Sequence, residues 1–152
     1  MPVDTVHMHA YQSEMASEFD LCLVLNAQMA ARALTRLADR KFRRYGITAA
    51  QFSILTSLAE HPGRSVTQMA SALAMDRSTL SRNLALLERN GLVTTMAAER
   101  GNGRVRALSE QGSQVVAEAI PQWRNQQSEL RAALDDPEFP TVIAALRQLA
   151  RL

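Results

Sequence analysis

The sequence predicts a mainly helical chain carrying one small β-hairpin. Three observations lead there. Good helix formers, above all Ala, Leu, Gln, Arg and Met, dominate the composition. Apolar residues recur at three- and four-residue steps along most of the chain, the spacing that gathers them on one helical face. The exception is residues 92–108, where two short runs flank Asn102-Gly103, a hairpin signal although the connection is longer than two residues. With 152 residues and a hydrophobic fraction of 47%, residues 1–152 suffice for a single domain with its own core.

Residues 1–12 show no clear period and read as a loose arm. A long helix is predicted from Ser13 to Arg44, its stripe made of Phe19, Cys22, Leu23, Met29, Ala30, Ala33, Leu37 and Phe42. Gly46 ends it, with Arg43 and Arg44 in the last turn, where cations suit the helix dipole. Thr48 and Gln51 form a capping box for a second helix that turns Phe52, Leu55 and Leu58 inward and stops before Pro62-Gly63. Ser65 to Ala74 is a short third helix with Met69, Ala70 and Leu73 apolar. Asp76 is suited to cap a fourth, which runs to about Arg89 and stops at Gly91. Leu92–Met96 and Arg104–Leu108 read as strands.

After Ser109 a further helix follows, with Val115, Val116, Ala119, Ile120, Trp123, Leu130 and Leu134 on its apolar face and Pro121 expected to kink or restart it. Asp135-Asp136-Pro137 breaks the pattern, and a last helix carries Val142, Leu146 and Leu149. Two short helices followed by a hairpin are the layout of a winged helix-turn-helix, which lays its second helix into the DNA major groove.

Charge supports that layout. The net charge is only +2, but residues 32–106 hold 13 Lys and Arg against 5 Asp and Glu, while the rest of the chain holds 4 against 10. A basic middle with acidic ends is the footprint of a module that meets phosphate, flanked by parts that meet something else. Sixteen of the 17 basic residues are Arg, which suits bidentate contacts, although a composition bias explains it equally well.

The fourth helix carries the strongest chemistry. Leu80, Leu84 and Leu87 share one face, and at about 100° per residue Ser78, Arg82, Ala85 and Arg89 lie roughly opposite, with Arg77 and Ser81 beside them. Arg77, Ser78, Thr79, Ser81 and Arg82 are the candidate base readers. The plainer reading, a solvated face on an ordinary surface helix, loses ground because a hairpin follows. Ser65, Thr67 and Gln68 open the third helix and are candidates for phosphate contacts, or plain first-turn residues, or both. Arg36, Arg40, Lys41, Arg43 and Arg44 read as a solvated face that complements the dipole.

Other chemistries find little footing. No G-x-S-x-G, phosphate-cradling glycine loop or H-E-x-x-H occurs, and Gly101-Asn102-Gly103 sits in a hairpin rather than between a strand and a helix. No enzyme, no cofactor and no metal site is therefore expected, and His7, His9 and His61 read as incidental. Met29, Met69, Met75 and Met96 read as core or pocket filler, and Trp123 as packing of a dimer core ahead of lining a ligand cavity. No apolar run approaches the roughly 18 residues of a membrane span, and no signal-peptide h-region precedes the first helix. The lone Cys22 excludes an internal disulfide and fits a cytoplasmic protein.

The residues that punctuate this layout resemble the MarR (multiple antibiotic resistance regulator) family of transcription factors. The likeness lies in Gly46-Ile47-Thr48-Ala49-Ala50-Gln51-Phe52, Leu58-Ala59-Glu60-His61-Pro62-Gly63, Met75 to Arg82, Leu87-Glu88-Arg89-Asn90-Gly91-Leu92-Val93 and Leu108-Ser109-Glu110-Gln111-Gly112. Ile120-Pro121-Gln122-Trp123-Arg124 matches a subset of members. The likeness spans about residues 15–150, and the order and spacing of the motifs make it specific. It implies dimerisation helices at about 13–45 and 110–152, a winged helix-turn-helix at about 46–108, and a homodimer that represses from a palindromic operator on double-stranded DNA. It further implies release by a small phenolic or lipophilic ligand.

The family's wing carries Asp-x-Arg near its tip, where this sequence has Ala98-Glu99-Arg100-Gly101-Asn102-Gly103-Arg104. Glu99 or Asn102 stands in for the Asp, and Arg100 or Arg104 for the Arg; Arg106 completes the candidates of the wing. Some relatives sense oxidant through a cysteine in the first helix. For Cys22 the nearest charges, Glu18 and Asp20, are acidic and favour an inert apolar thiol over a reactive thiolate. Two rivals to a ligand-released repressor are a cysteine-based redox regulator and a winged-helix interaction module that no longer binds DNA.

Overall fold

The computed structural model describes residues 19–97, 104–134 and 136–152. Its elements are α1 (Leu23–Phe42), a 3-10 turn (Arg43–Tyr45), α2 (Ala49–Glu60), α3 (Val66–Ala72), α4 (Arg77–Arg89), β1 (Val93–Ala97), β2 (Arg104–Leu108), α5 (Glu110–Ala132) and α6 (Phe139–Leu149). The strands form one antiparallel pair. The chain is mainly helical with a two-stranded wing, as its sequence predicts.

Two compact units divide it, Met1–Ala38 and Asp39–Leu152. In the first, Phe19 and Asp20 are helical, the chain turns at Leu21 and α1 runs from Leu23, so the predicted helix is interrupted there, while its predicted start at Ser13 lies outside the described residues. The local cause is a set of competing bonds. The Cys22 N–H reaches the Phe19 carbonyl at 3.0 Å, and the Asn26 side-chain amide donates to the carbonyls of Asp20 at 2.8 Å and Cys22 at 2.9 Å. The predicted stripe stands on the surface: Phe19 is 57%, Leu23 59% and Met29 57% exposed. Of the α1 residues, Phe42 alone is buried.

The second unit holds the core. Phe42 stacks on Phe52 with ring centroids 4.4 Å apart. Around them Ile47, Ile54, Leu55, Leu58, Met69, Leu80, Leu84, Leu87, Leu92, Val93 and Val116 are buried. Local bonds fix the entry of α2. Thr48 and Gln51 make the predicted capping box, and the Asp39 carboxylate accepts the Ala49 N–H at 2.7 Å. Gly46 adopts the left-handed φ of +70° that its predicted role requires. The Lys41 ammonium pairs with the Glu129 carboxylate, which also accepts the Asn125 amide at 2.8 Å, tying the last turn of α1 to α5.

Between α3 and α4 the chain turns through Ala74 at φ +48°, a left-handed conformation in which a Cβ crowds its own backbone. Replacing Ala74 by glycine is expected to stabilise the fold by about 0.5–1 kcal/mol. Thermal unfolding reads this as a midpoint a few degrees higher, and an unchanged or lowered midpoint contradicts it.

β1 and β2 pair from Val93 with Leu108 to Ala97 with Arg104, so β1 starts one residue later than predicted. Leu92 belongs to the exit of α4, its N–H bonded to the Leu87 carbonyl at 2.9 Å. Ser109 then joins the two exits. Its N–H donates to the Leu92 carbonyl at 3.1 Å, its hydroxyl donates to the Gly91 carbonyl at 2.5 Å and accepts the Gly112 N–H at 2.9 Å.

α5 runs unbroken through Pro121, so of the expected kink or restart the helix shows no restart. The proline removes one backbone donor, but Val116, Ala119 and Gln126 bury the helix on both sides of it, and packing outweighs one lost bond. Trp123 is 41% exposed, Met96 is exposed on the wing, and α6 buries no residue at all. Met29 and Met96 therefore do not fill the core of one chain, while the packing expected of Trp123 is that of a dimer core.

Candidate nucleic-acid interface

α4 separates into the two faces expected of it. Leu80, Leu84 and Leu87 are 0% exposed, whereas Arg77, Ser78, Ser81, Arg82, Ala85 and Arg89 are all exposed. Thr79 lies at the boundary, half-buried. The helix thus offers two hydroxyls, three guanidinium groups and the small Ala85 on one side, a surface low enough for a groove to approach and rich in groups that bond base edges.

Asp76 occupies the N-cap position with extended backbone, but its side chain makes no capping bond, contrary to expectation. Side chains therefore leave the first-turn N–H groups of α4 open, and these with the helix dipole suit a phosphate oxygen. Two contacts order the turn that follows. The Arg82 Nη2 donates to the Thr79 hydroxyl at 3.3 Å, and the Asn83 amide donates to the Thr79 carbonyl at 3.0 Å.

α3 opens with a second capping box. Ser65 Oγ accepts the Gln68 N–H at 3.2 Å, and Gln68 Oε1 accepts the Ser65 N–H at 2.9 Å. These bonds spend acceptors only, so the Ser65 O–H and the Gln68 NH2 remain as donors beside the exposed Thr67. Structural and phosphate-binding roles are compatible at these three positions.

In the wing the candidates separate. Arg104 is exposed, opposite Ala97 at the end of the pair next to the connection between the strands. Arg106 lies opposite Thr95, on the same face of the hairpin. The Thr95 hydroxyl donates to the Glu88 carboxylate of α4 at 2.6 Å, so that face is turned toward the helix. Arg106 is half-buried, and its Nε is enclosed with no hydrogen-bond partner among the described residues. Arg100, with Glu99 and Asn102, lies outside the described residues. Sequence reasoning missed Asn83, Glu88 and Thr95; only the tertiary register brings β1 against α4, and no local pattern signals it.

Cys22 is half-buried and unpaired. Among the described residues no cluster of three or more metal-ligating side chains occurs, and no helix is long and apolar enough to cross a membrane.

Comparison with known proteins agrees with this geometry. The sequence profile of the MarR family matches residues 45–104. The structure of the Mycobacterium tuberculosis transcriptional regulator MosR is 32% identical, covers 88% of this chain and 96% of its own, and superposes with a TM-score of 0.77. MosR solved in complex with DNA is 30% identical over 86% of this chain and 94% of its own, with a TM-score of 0.76. An uncharacterized HTH-type transcriptional regulator of Bacillus subtilis (strain 168), YybA, is 29% identical over 89 residues, which span 57% of this chain and 59% of that relative. The two faces of α4, the wing and these likenesses converge: the chain belongs to the MarR family of winged helix-turn-helix, DNA-binding transcriptional regulators, and is not an enzyme.

Proposed function

We propose that two copies of this chain bind a palindromic operator and repress transcription, each laying α4 into one of two successive major grooves about 34 Å apart. The observation that carries this reading is the division of α4 into a wholly buried leucine face and an exposed face bearing Arg77, Ser78, Ser81 and Arg82. Thr79 edges that face, Ser65, Thr67 and Gln68 contact flanking phosphates, and Arg100, Arg104 and Arg106 serve the wing. The half-burial of Arg106 makes it the least suited of the three to reach DNA.

Pairing is supported by the apolar surface that one chain leaves uncovered. Phe19, Leu21, Leu23, Val24 and Met29 are exposed near the start, and Trp123 and Leu146 near the end, the two regions assigned to dimerisation. A second copy supplies the partner that such surface requires. Release by a small phenolic or lipophilic ligand rests on the family alone, and a cytoplasmic location on the single cysteine, Cys22.

Selection of bound duplexes from a random pool tests the reading. A recovered inverted repeat with half-sites one helical turn apart supports it; recovery of no preferred sequence sinks it. On the recovered operator, Arg82→Ala is expected to weaken binding by about 1–3 kcal/mol and to relax preference at one base pair of each half-site. Equal losses on operator and random duplex would instead make Arg82 a phosphate contact.

A further inference from the structure

The recognition helix carries one reader already held in place. Arg82 is exposed, yet its guanidinium Nη2 is bonded to Thr79 Oγ1, one turn back on the same helix, at 3.3 Å. Thr79 is half-buried, and its backbone carbonyl is gripped by the Asn83 side chain at 3.0 Å. Its β-branch restricts χ1. The hydroxyl is therefore a fixed acceptor under a long, otherwise free side chain. A guanidinium has five N–H donors in a planar fork; one bond to Thr79 leaves donors for a bidentate contact with a base edge.

We infer that Thr79 is a positioning residue, whose hydroxyl orients Arg82 for base reading rather than touching DNA itself. The inference rests on the proposed operator reading. Its physical content is entropic: an arginine held near its bound rotamer loses less freedom on docking, a saving of about 0.5–1.5 kcal/mol per side chain, or about 2- to 12-fold in affinity. The saving appears only where Arg82 bonds a base, so it sharpens preference without strengthening general binding.

A double-mutant cycle tests this, using Thr79→Val, which keeps the branched shape and removes the hydroxyl, and Thr79→Ser, which restores the hydroxyl. Binding to the selected operator and to a random duplex is measured in the wild-type and Arg82→Ala backgrounds, with thermal unfolding as a check on folding. Thr79→Val is expected to weaken operator binding about 2- to 12-fold, to leave random-duplex binding unchanged, and to have no further effect once Arg82 is alanine. Thr79→Ser is expected to recover operator affinity. Equal losses in both backgrounds, or none in either, overturn the inference while the operator reading stands. A wild type that prefers no sequence overturns the operator reading and this inference with it.

Discussion

Replacing Gly112 by alanine is expected to destabilise the fold by roughly 2–4 kcal/mol. A Cβ built there lies 2.0 Å from the Leu92 carbonyl oxygen and 2.9 Å from its carbon, and both are backbone atoms with no rotamer to change. The first turn of α5 must then move away from the exit of α4. That movement pulls on the Ser109 bonds to Leu92, Gly91 and Gly112, which join the two exits. Alanine's better helix propensity returns only about 1 kcal/mol. The requirement is one of close approach, not of unusual dihedrals, and this separates it from Gly46. At Gly46 φ is +70° and nothing stands within 4 Å, so alanine there is expected to cost only about 1 kcal/mol. Urea or thermal unfolding of both variants reads the difference. Equal losses at the two positions would mean that α5 yields easily at Leu92.

The parts of the fold legible in the sequence are those decided by neighbours in the chain. The Thr48–Gln51 box, the left-handed Gly46 and Gly91, and the buried Leu80, Leu84 and Leu87 all follow from spacings of three or four residues or from a backbone that favours glycine. What periodicity hid was competition. The apolar spacing of residues 19–42 runs unbroken, but Asn26 draws carbonyls at Asp20 and Cys22 and the helix is interrupted at Leu21 and Cys22. Pro121 forbids one bond, yet the burial of Val116, Ala119 and Gln126 carries α5 past it. Asp76 has the chemistry of a cap without making the bond.

At the candidate interface the face of α4 was readable because a helix has one period. The side of the wing on which Arg106 lies was not, since it depends on how β1 meets Glu88. Gly112 was recognisable as part of a motif, but its reason, the Leu92 carbonyl, is a contact between elements 20 residues apart in sequence.

Raising the salt from about 50 to about 200 mM is expected to weaken binding to random duplex by about 10³- to 10⁴-fold. Each copy exposes Arg77, Arg82, Arg89 and Arg104 on or beside the interface. Three or four of these on phosphates give a pair of copies about six to eight neutralised charges, and each released counterion contributes about −0.9 to the slope of log K against log salt. The proposed operator complex would divide these arginines by role. Arg104→Ala removes a phosphate partner from each copy and is expected to flatten the slope by about 2 on operator and random duplex alike. Arg82→Ala on operator removes a base contact, so affinity falls while the slope stays. Arg82 shifting the slope as Arg104 does would mean that it neutralises phosphate and that specificity lies with Arg77, Ser78 and Ser81. A flat salt profile with no binding at low ionic strength would instead leave the basic middle of the chain to an acidic protein partner, the one reading of its charge that needs no groove.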